Sequence, residues 1–321
     1  MSGSRLALLS LLVLGLLPGC TGDDTPTPAP PGSPPKEIAL SGAAVLIGAG
    51  DIAVCGTSGD EATARLVDSV LKADSAFGVQ TAVFTLGDNA YASGPGGVKD
   101  DLARCFAPAW GAPRIMSAIH PSPGNHDYDS GSGAPYFAFF GDRAGPPGKG
   151  YYSYDIGAWH AISLNSELYN VRGNPAAAKA QEDWLRTDLR EHPNLCTLAY
   201  FHRPLFSSGT HGGSPEVGAL WQILYDGGVD LVLNGHDHHY ERFHPQTPAG
   251  VMDSVRGIEQ IIAGTGGGDL RGVRPRRAGN SIGAIRGRFG VLKLSLGRDD
   301  YSSAFIDTTG RIWDPAAGKC H

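Results

Sequence analysis

The sequence predicts an α/β layered fold with mixed sheets, on three observations. Short apolar, β-branched runs end repeatedly in Gly plus a polar residue: Val45-Leu46-Ile47 before Gly50-Asp51, Ala82-Val83-Phe84 before Gly87-Asp88, and Leu231-Val232-Leu233 before Asn234-Gly235-His236. These read as buried strands. Segments of helical periodicity with recognisable starts lie between them, and strands separated by helices pack in layers. From Tyr151 to Asn165 the residues alternate in character around Gly157, the pattern of an antiparallel hairpin, which makes the sheet content mixed.

In chain order, Arg5 precedes an apolar run, Leu6 to Leu17, of 12 residues. That is too short for a bilayer core that needs about 20 helical residues, so it reads as a signal peptide. The run closes on Leu17-Pro18-Gly19-Cys20, which resembles a bacterial lipobox. A lipobox implies lipidation of Cys20 after cleavage before it, hence export to the cell envelope, or simple secretion where Cys20 is not lipidated. Residues 1–20 are therefore assigned as the lipoprotein signal peptide. Residues 21–37 are proline-rich with almost nothing apolar, so they are expected to form a disordered, semi-extended tether. Folding is expected to begin near Ile38, with 38–321 as one catalytic domain.

Ser58 and Glu61 have capping-box spacing, with Ala62, Leu66, Val70 and Leu71 expected on one helix face. Asn174-Pro175 opens a second helix ahead of Trp184, Leu185 and Leu189. Ser214-Pro215 opens a third, with Val217, Leu220, Trp221 and Leu224, ended by Gly227-Gly228. A fourth strand, Thr197 to Phe201, runs into His202, and residues 258–264, 289–296 and 301–306 read as later strands.

Composition narrows the function. A net charge of −6 removes the basic surface expected of a nonspecific nucleic-acid binder, and no nucleic-acid partner is expected. The loose basic stretch Arg271, Arg274, Arg276, Arg277, Arg286 and Arg288 reads as a solvated loop with anion holding as its functional alternative. Apart from Cys20 there are Cys55, Cys105, Cys196 and Cys320. Three pairings are possible in an exported chain. Cys55 with Cys105 and Cys196 with Cys320 is favoured, and the spacings match no zinc ribbon.

Polar residues gather where the strands end: Asp51, then Asp88 and Tyr91, then Asn125-His126-Asp127, then His202, then His236 and His238. Open α/β sheets collect functional groups at the carboxyl ends of their strands, so these segments can meet in one crevice. Singly each has an ordinary explanation as a turn, a cap or a packed ring. Together, Gly-Asp, Gly-Asp-x-x-Tyr, Gly-Asn-His-Asp, a strand-terminal His and Gly-His-x-His are similar to the motifs of the calcineurin-like binuclear metallophosphoesterases. More narrowly they resemble the purple acid phosphatase branch. The resemblance runs from Asp51 to His238 and extends through His239-Tyr240-Glu241-Arg242.

That resemblance implies a four-layer αββα sandwich of two mixed β-sheets flanked by helices. It implies one metal ion on Asp51, Tyr91 and His238, a second on Asn125, His202 and His236, and Asp88 bridging both. Two ions sharing a carboxylate can clamp the attacking and leaving oxygens of a phosphoryl transfer. Many relatives carry Asp-x-His in the first motif, where this chain has Asp51-Ile52-Ala53, and Tyr91 supplies the missing ligand. A phenolate favours a hard, highly charged ion, so Fe(III) is expected in the first site, with Zn(II), Mn(II) or Fe(II) in the second.

The resemblance further implies that His126 contacts substrate and acts as general acid. His211, in the Gly/Ser-rich loop after His202, is a looser candidate for phosphate contact. Asp127 is expected to orient His126. His239, Glu241 and Arg242 are read equally as tuning residues or structural ones, and Gly264 to Gly268 as backbone passing close to the crevice. The expected reaction is hydrolysis of phosphate esters, monoesters first, by a metal-bound hydroxide outside the cytoplasm. The expected partners are a phosphorylated small molecule and, through a lipidated Cys20, the membrane. A phosphodiesterase or nucleotidase on the same fold and a catalytically inactive surface binding protein are the alternatives.

Overall fold

The computed structural model describes residues 44–170, 173–194 and 196–321. The expected signal peptide, the tether and the start of folding at Ile38 lie outside the described residues. The first half contains β1 (Ala44–Ala49), α1 (Gly59–Ala76), β2 (Thr81–Leu86), α2 (Gly97–Asp101), α3 (Pro113–Met116), β3 (Ile119–Ser122) and α4 (Ala134–Phe140). Then come β4 (Tyr152–Ile156), β5 (Trp159–Ser163), α5 (Pro175–Glu191), β6 (Cys196–Tyr200), α6 (Gly218–Asp226) and β7 (Leu231–Asn234). The chain ends with β8 (Tyr240–Phe243), β9 (Glu259–Ala263), β10 (Ser281–Ile285), β11 (Gly290–Leu296), β12 (Asp300–Asp307) and β13 (Ile312–Lys319).

Two sheets result, ordered β13-β12-β11-β1-β2-β3 and β10-β8-β9-β7-β6-β5-β4. In the first, β1, β2 and β3 run parallel and β11 joins β1 antiparallel. In the second, β5, β6, β7 and β9 are parallel, with β4 and β8 antiparallel beside them. Both sheets are mixed, as expected, because helical crossovers build the parallel centres and tight connections build the margins.

The period-two alternation of side chains sorts the strands into layers. Leu46, Phe84, Leu198, Leu231, Leu233, Leu292 and Leu294 fill one core between the sheets. Their neighbours Ile47, Val83 and Val291 face outward with Val67 and Leu71 of α1. Ala199 and Val232 face the other way, against Leu185 of α5 and Leu220 and Trp221 of α6. This is the four-layer αββα arrangement.

The expected hairpin forms, with Gly157 at φ +59° between β4 and β5. Asn174 caps α5, accepting from the Ala176 and Ala177 amides at 3.1 Å. Helix α6 ends in a Schellman motif: Gly228 donates to Tyr225 and Val229 to Leu224, with Gly228 at φ +72°. The capping box does not form, since the Ser58 side chain makes no cap bond. The start of α1 packs instead on the Gly264–Gly268 loop, where the Thr63 hydroxyl donates to the Gly266 carbonyl at 2.5 Å. The buried face of α1 accordingly shifts to Thr63, Ala64, Val67 and Leu71. Both favoured disulfides are present, with Cα–Cα distances of 5.3 Å for Cys55–Cys105 and 5.2 Å for Cys196–Cys320. Strands β3 and β13, which the apolar pattern did not announce, carry Pro121 and Pro315. They are the two edges of their sheet, where a missing N–H is tolerated and further pairing is discouraged.

Candidate metal centre

Asp51 follows β1, Asp88 and Tyr91 follow β2, Asn125 follows β3, His202 follows β6, and His236 and His238 follow β7. Parallel strands of both sheets thus deliver their carboxyl ends to one place. Backbone bonds stitch the β1 and β2 loops together: Asp51 N to Gly87 O, Ile52 N to Asp88 O, Ala53 N to Asn89 O, and Tyr91 N to Ala53 O at 3.1 Å. The Tyr91 amide is therefore fastened to Ala53.

Asp51, Asp88 and His236 have φ of +59°, +50° and +69°. Left-handed backbone at a non-glycine residue costs about 1–2 kcal/mol, and such strain concentrates at functional sites. Neighbouring glycines let the loops close in. A Cβ on Gly124 would lie 2.3 Å from Asp88, one on Gly264 2.6 Å from Asp51, and one on Gly268 3.2 Å from His238. The glycine run after β9 does pass against the crevice, as expected.

Two clusters of donor atoms result. In the first, the Tyr91 hydroxyl is 2.9 Å from Asp51 Oδ1 and 3.0 Å from His238 Nε2, and His238 Nε2 is 3.2 Å from Asp51 Oδ1. In the second, His202 Nε2 is 3.1 Å from Asn125 Oδ1, 3.1 Å from His236 Nδ1 and 3.3 Å from Asp88 Oδ2. All seven side chains expected as ligands are in one or the other.

Tautomers test whether these donors fit cations. His202 Nδ1 donates to the Leu86 carbonyl at 2.8 Å, and His238 Nδ1 donates to the Asp269 carbonyl. A carbonyl only accepts, so each Nδ1 carries the proton and each neutral ring turns the Nε2 lone pair toward a carboxylate. Acceptor faces acceptor in both clusters, an arrangement that a positive charge between them satisfies. Without one, the field draws protons. Burial opposes the charged form of His202, yet the Asp88 carboxylate outweighs it and raises the ring to about 10. Burial, with the charges of Asp51 and Asp88, holds the Tyr91 hydroxyl well above its ordinary value. His236 is held far below its ordinary value by burial and by the charges of His202 and Arg203. A bound cation reverses this logic, because it is the largest local charge and favours the ionised donors.

The His126 ring lies at the lip, its centroid 4.6 Å from that of Tyr91 and its Nε2 4.0 Å from Asp88 Oδ2. Its backbone N–H donates to Asp88 Oδ1 at 2.8 Å. The expectation for Asp127 is corrected here. Asp127 Oδ2 accepts from the Gly124 amide at 2.8 Å and the Asn89 amide nitrogen at 3.0 Å, so it braces the ligand loops. Burial and the nearby Asp88 charge raise Asp127 to about 7. The carboxylate that meets His126 Nδ1, at 2.9 Å, belongs to Asp129.

His211 stacks on His236 with ring centroids 4.5 Å apart, and Arg271 Nη1 meets its Nε2. Burial and the Arg271 charge lower His211 below its ordinary value. The loop carrying it hangs on buried Asp237, which accepts from the His211 amide at 2.9 Å and the Gly212 amide at 3.2 Å. Arg203 forms a forked ion pair with Glu167, Nε to Oε1 at 2.9 Å, and its Nη1 lies 3.3 Å from His236 Nε2. His239, Glu241 and Arg242 prove structural. Glu241 binds His239 Nε2 and the Ser208 amide, and Arg242 pairs with Asp314 at 2.7 Å. Asp129, Asp237, Arg203 and Glu167 were not singled out as site residues, and Arg271 was named only within the basic stretch whose alternative reading was anion holding. Position gives a partial signal for two of them: Asp237 lies between two ligand histidines and Asp129 three residues after His126.

Comparison with known proteins gives the family and the fold. The family model for calcineurin-like phosphoesterases matches residues 45–240. Acid phosphatase type 7 of Homo sapiens is 28% identical over 241 residues, covering 63% of this chain and 51% of the relative. Purple acid phosphatase 18 of Arabidopsis thaliana is 31% identical over 144 residues, 40% of this chain and 32% of the relative. The chain spans about a third to a half of the length of the curated relatives it matches. Among solved structures, purple acid phosphatase PPD1 from yellow lupin (Lupinus luteus) seeds superposes with a TM-score of 0.66 at 20% identity, over 86% of this chain and 54% of that one. GAP50, the anchor in the inner membrane complex of Plasmodium, gives 0.67 at 16% identity, over 87% and 89%. Identity that low speaks to the fold alone, and both share the fold.

Proposed function

The chain belongs to the calcineurin-like phosphoesterase family, and from that premise we propose that it hydrolyses phosphate esters, monoesters before diesters, at a two-metal centre outside the cytoplasm. The observation that carries the reading is the pair of clusters in which His202 Nε2 lies 3.3 Å from Asp88 Oδ2 and His238 Nε2 3.2 Å from Asp51 Oδ1, each ring with its Nδ1 committed to a backbone carbonyl. Asp51, Tyr91 and His238 would hold one ion, Asn125, His202 and His236 the other, and Asp88 both. The phenol favours Fe(III) in the first position; two imidazoles and an amide suit Zn(II), Mn(II) or Fe(II) in the second. Bound there, the ions supply Lewis acidity to the phosphoryl oxygens and lower the pKa of water.

The chain's own residues do the rest. His126 Nε2 faces the centre while Asp129 holds Nδ1, so the ring is fixed in direction. That suits it to protonate the departing alkoxide. Asp127 braces Asn89 and Gly124, and through them the loops that carry Asp88 and Asn125. His211 covers His236 at the mouth of the site. Export is part of the same reading: two disulfides at Cys55–Cys105 and Cys196–Cys320 suit an oxidising compartment.

The test is turnover by purified, metal-analysed protein of an aryl phosphate monoester and the matching diester, with a visible spectrum of the same sample. Two ions per chain, faster monoester turnover and a charge-transfer band that Tyr91→Phe removes are the expected results. Diester preference would make it a phosphodiesterase. A metal-loaded protein that turns over neither would leave a binding function on a catalytic fold, and a colourless active protein would remove the iron.

A further inference from the structure

We propose that Arg271 is the residue that reads the extra charge of a phosphate monoester, making the site selective for dianionic terminal phosphoryl groups; this rests on the phosphoesterase reading above. The segment Gly268 to Arg271 borders the first cluster. The Gly268 amide donates to the Asp51 carbonyl at 2.7 Å, and the Arg271 amide donates to the His238 carbonyl at 3.0 Å. From there the side chain crosses to His211, which lies over His236 of the second cluster. The guanidinium therefore spans the mouth from one cluster to the other, and its charge is felt at Tyr91, His238 and His211.

Its charge is also uncompensated. Arg203 is paired with Glu167, Arg242 with Asp314 and Arg288 with Asp307, whereas among the described residues no carboxylate pairs with Arg271. Its partner is His211 Nε2, which accepts from it. Arginine stays charged at every working pH and presents a planar fork that matches phosphate oxygens. A monoester offers one more non-bridging oxygen and one more negative charge than a diester, and Arg271, with no carboxylate partner among the described residues, is a cation at the mouth placed to meet them. Its partner explains its aim: the His211 ring braces the fork and gives up the contact when an anionic oxygen, a stronger acceptor, arrives.

Arg271 is half-exposed, so Arg271→Ala and Arg271→Gln should fold, and metal content per chain should match the wild type. Losing one charge-assisted hydrogen bond corresponds to roughly a 10- to 100-fold loss. The ratio of monoester to diester kcat/KM is expected to fall by at least about tenfold. The Kd for inorganic phosphate, read by calorimetry, should rise by a similar factor, and Arg271→Lys should recover part of both. Equal losses on both esters, or no change in phosphate affinity, would overturn the proposal. Wild-type protein that binds phosphate through Arg271 but turns over neither ester would instead overturn the catalytic reading and leave the anion site standing.

Discussion

Asp51, Asp88 and His236 depart from the backbone conformations their residue type prefers, and all three carry donor atoms of the centre. The strain is held in place by the ladder between the β1 and β2 loops and by glycines that let one loop touch another. Gly124 shows how little room remains. An added Cβ would sit 2.3 Å from both the backbone nitrogen and Oδ1 of Asp88, and a backbone atom cannot swing away as a side-chain tip can. Gly124→Ala is expected to displace Asp88, weakening metal binding by about 10- to 100-fold, the range seen when a supporting contact is lost, while far-UV circular dichroism stays native. Undiminished metal content in that variant would sink the idea that Asp88 is shared. At this scale Asp51, Asp88, His202 and His236 were legible as candidates because each stands just after an apolar run. Asp129 was not, because its partnership arises from a 3₁₀ turn, His126–Tyr128, which places residues three apart on one face and leaves the adjacent Asp127 pointing away.

Away from the centre, one ionic cluster joins elements. His160 of β5 lies between Asp188 of α5, at 2.9 Å from Nε2, and Asp155 of β4, at 2.9 Å from Nδ1. Ser153 donates to Asp188 at 2.7 Å, and His192 stacks on His160 at 4.4 Å. Burial works against the charged ring, but the two carboxylates prevail and raise His160 above 6.5. Asp188, despite its own burial, is lowered below 3.8 by His160 and Ser153. The histidine contributes fully below its unfolded value of 6.5 and loses that contribution as pH climbs through its raised folded value. The aspartate contributes fully above 3.8 and loses it as pH drops through its lowered folded value. The window of full effect therefore lies between those two unfolded values. Removing one partner of a buried pair costs about 3–5 kcal/mol, so His160→Ala should be destabilised by that order at about pH 5.5, with the gap to wild type narrowing at alkaline pH. A gap that denaturant unfolding finds independent of pH would show that lost packing alone is responsible. The alternating hairpin predicted the strands, but the tie to α5 depends on where that helix lands. Local sequence misled likewise at Ser58, where a capping box with correct spacing yielded to packing against Gly266 and Gly267.

Across the whole molecule, two sheets meet over one apolar layer, and Cys196–Cys320 crosses between them, from β6 of one sheet to the residue after β13 of the other. A crosslink closing more than a hundred residues removes on the order of 4–5 kcal/mol of chain entropy from the unfolded ensemble in the loop-entropy account. That advantage exists only where thiols are oxidised, which suits the proposed export. The matching expectation is a mature N-terminus at an acylated Cys20, seen as a lipid mass increment by mass spectrometry of membrane-extracted protein. A free amine on any other residue would refute the anchor and leave secretion.

The seven expected donor residues came from the resemblance to a family's motif pattern; strands β1, β2, β6 and β7, helices α1, α5 and α6 and the mixed sheets were legible in the sequence itself. Each of these depends on near neighbours: an alternating apolar run, a glycine, one polar residue at its end. Only the tertiary structure decided which carboxylate holds His126, that His211 rests against Arg271 rather than standing free, and that Arg203 has a carboxylate partner while Arg271 has none among the described residues. Those facts depend on distances between segments far apart in the chain. Such distances are set by the packing of the two sheets, which no short stretch of residues specifies alone.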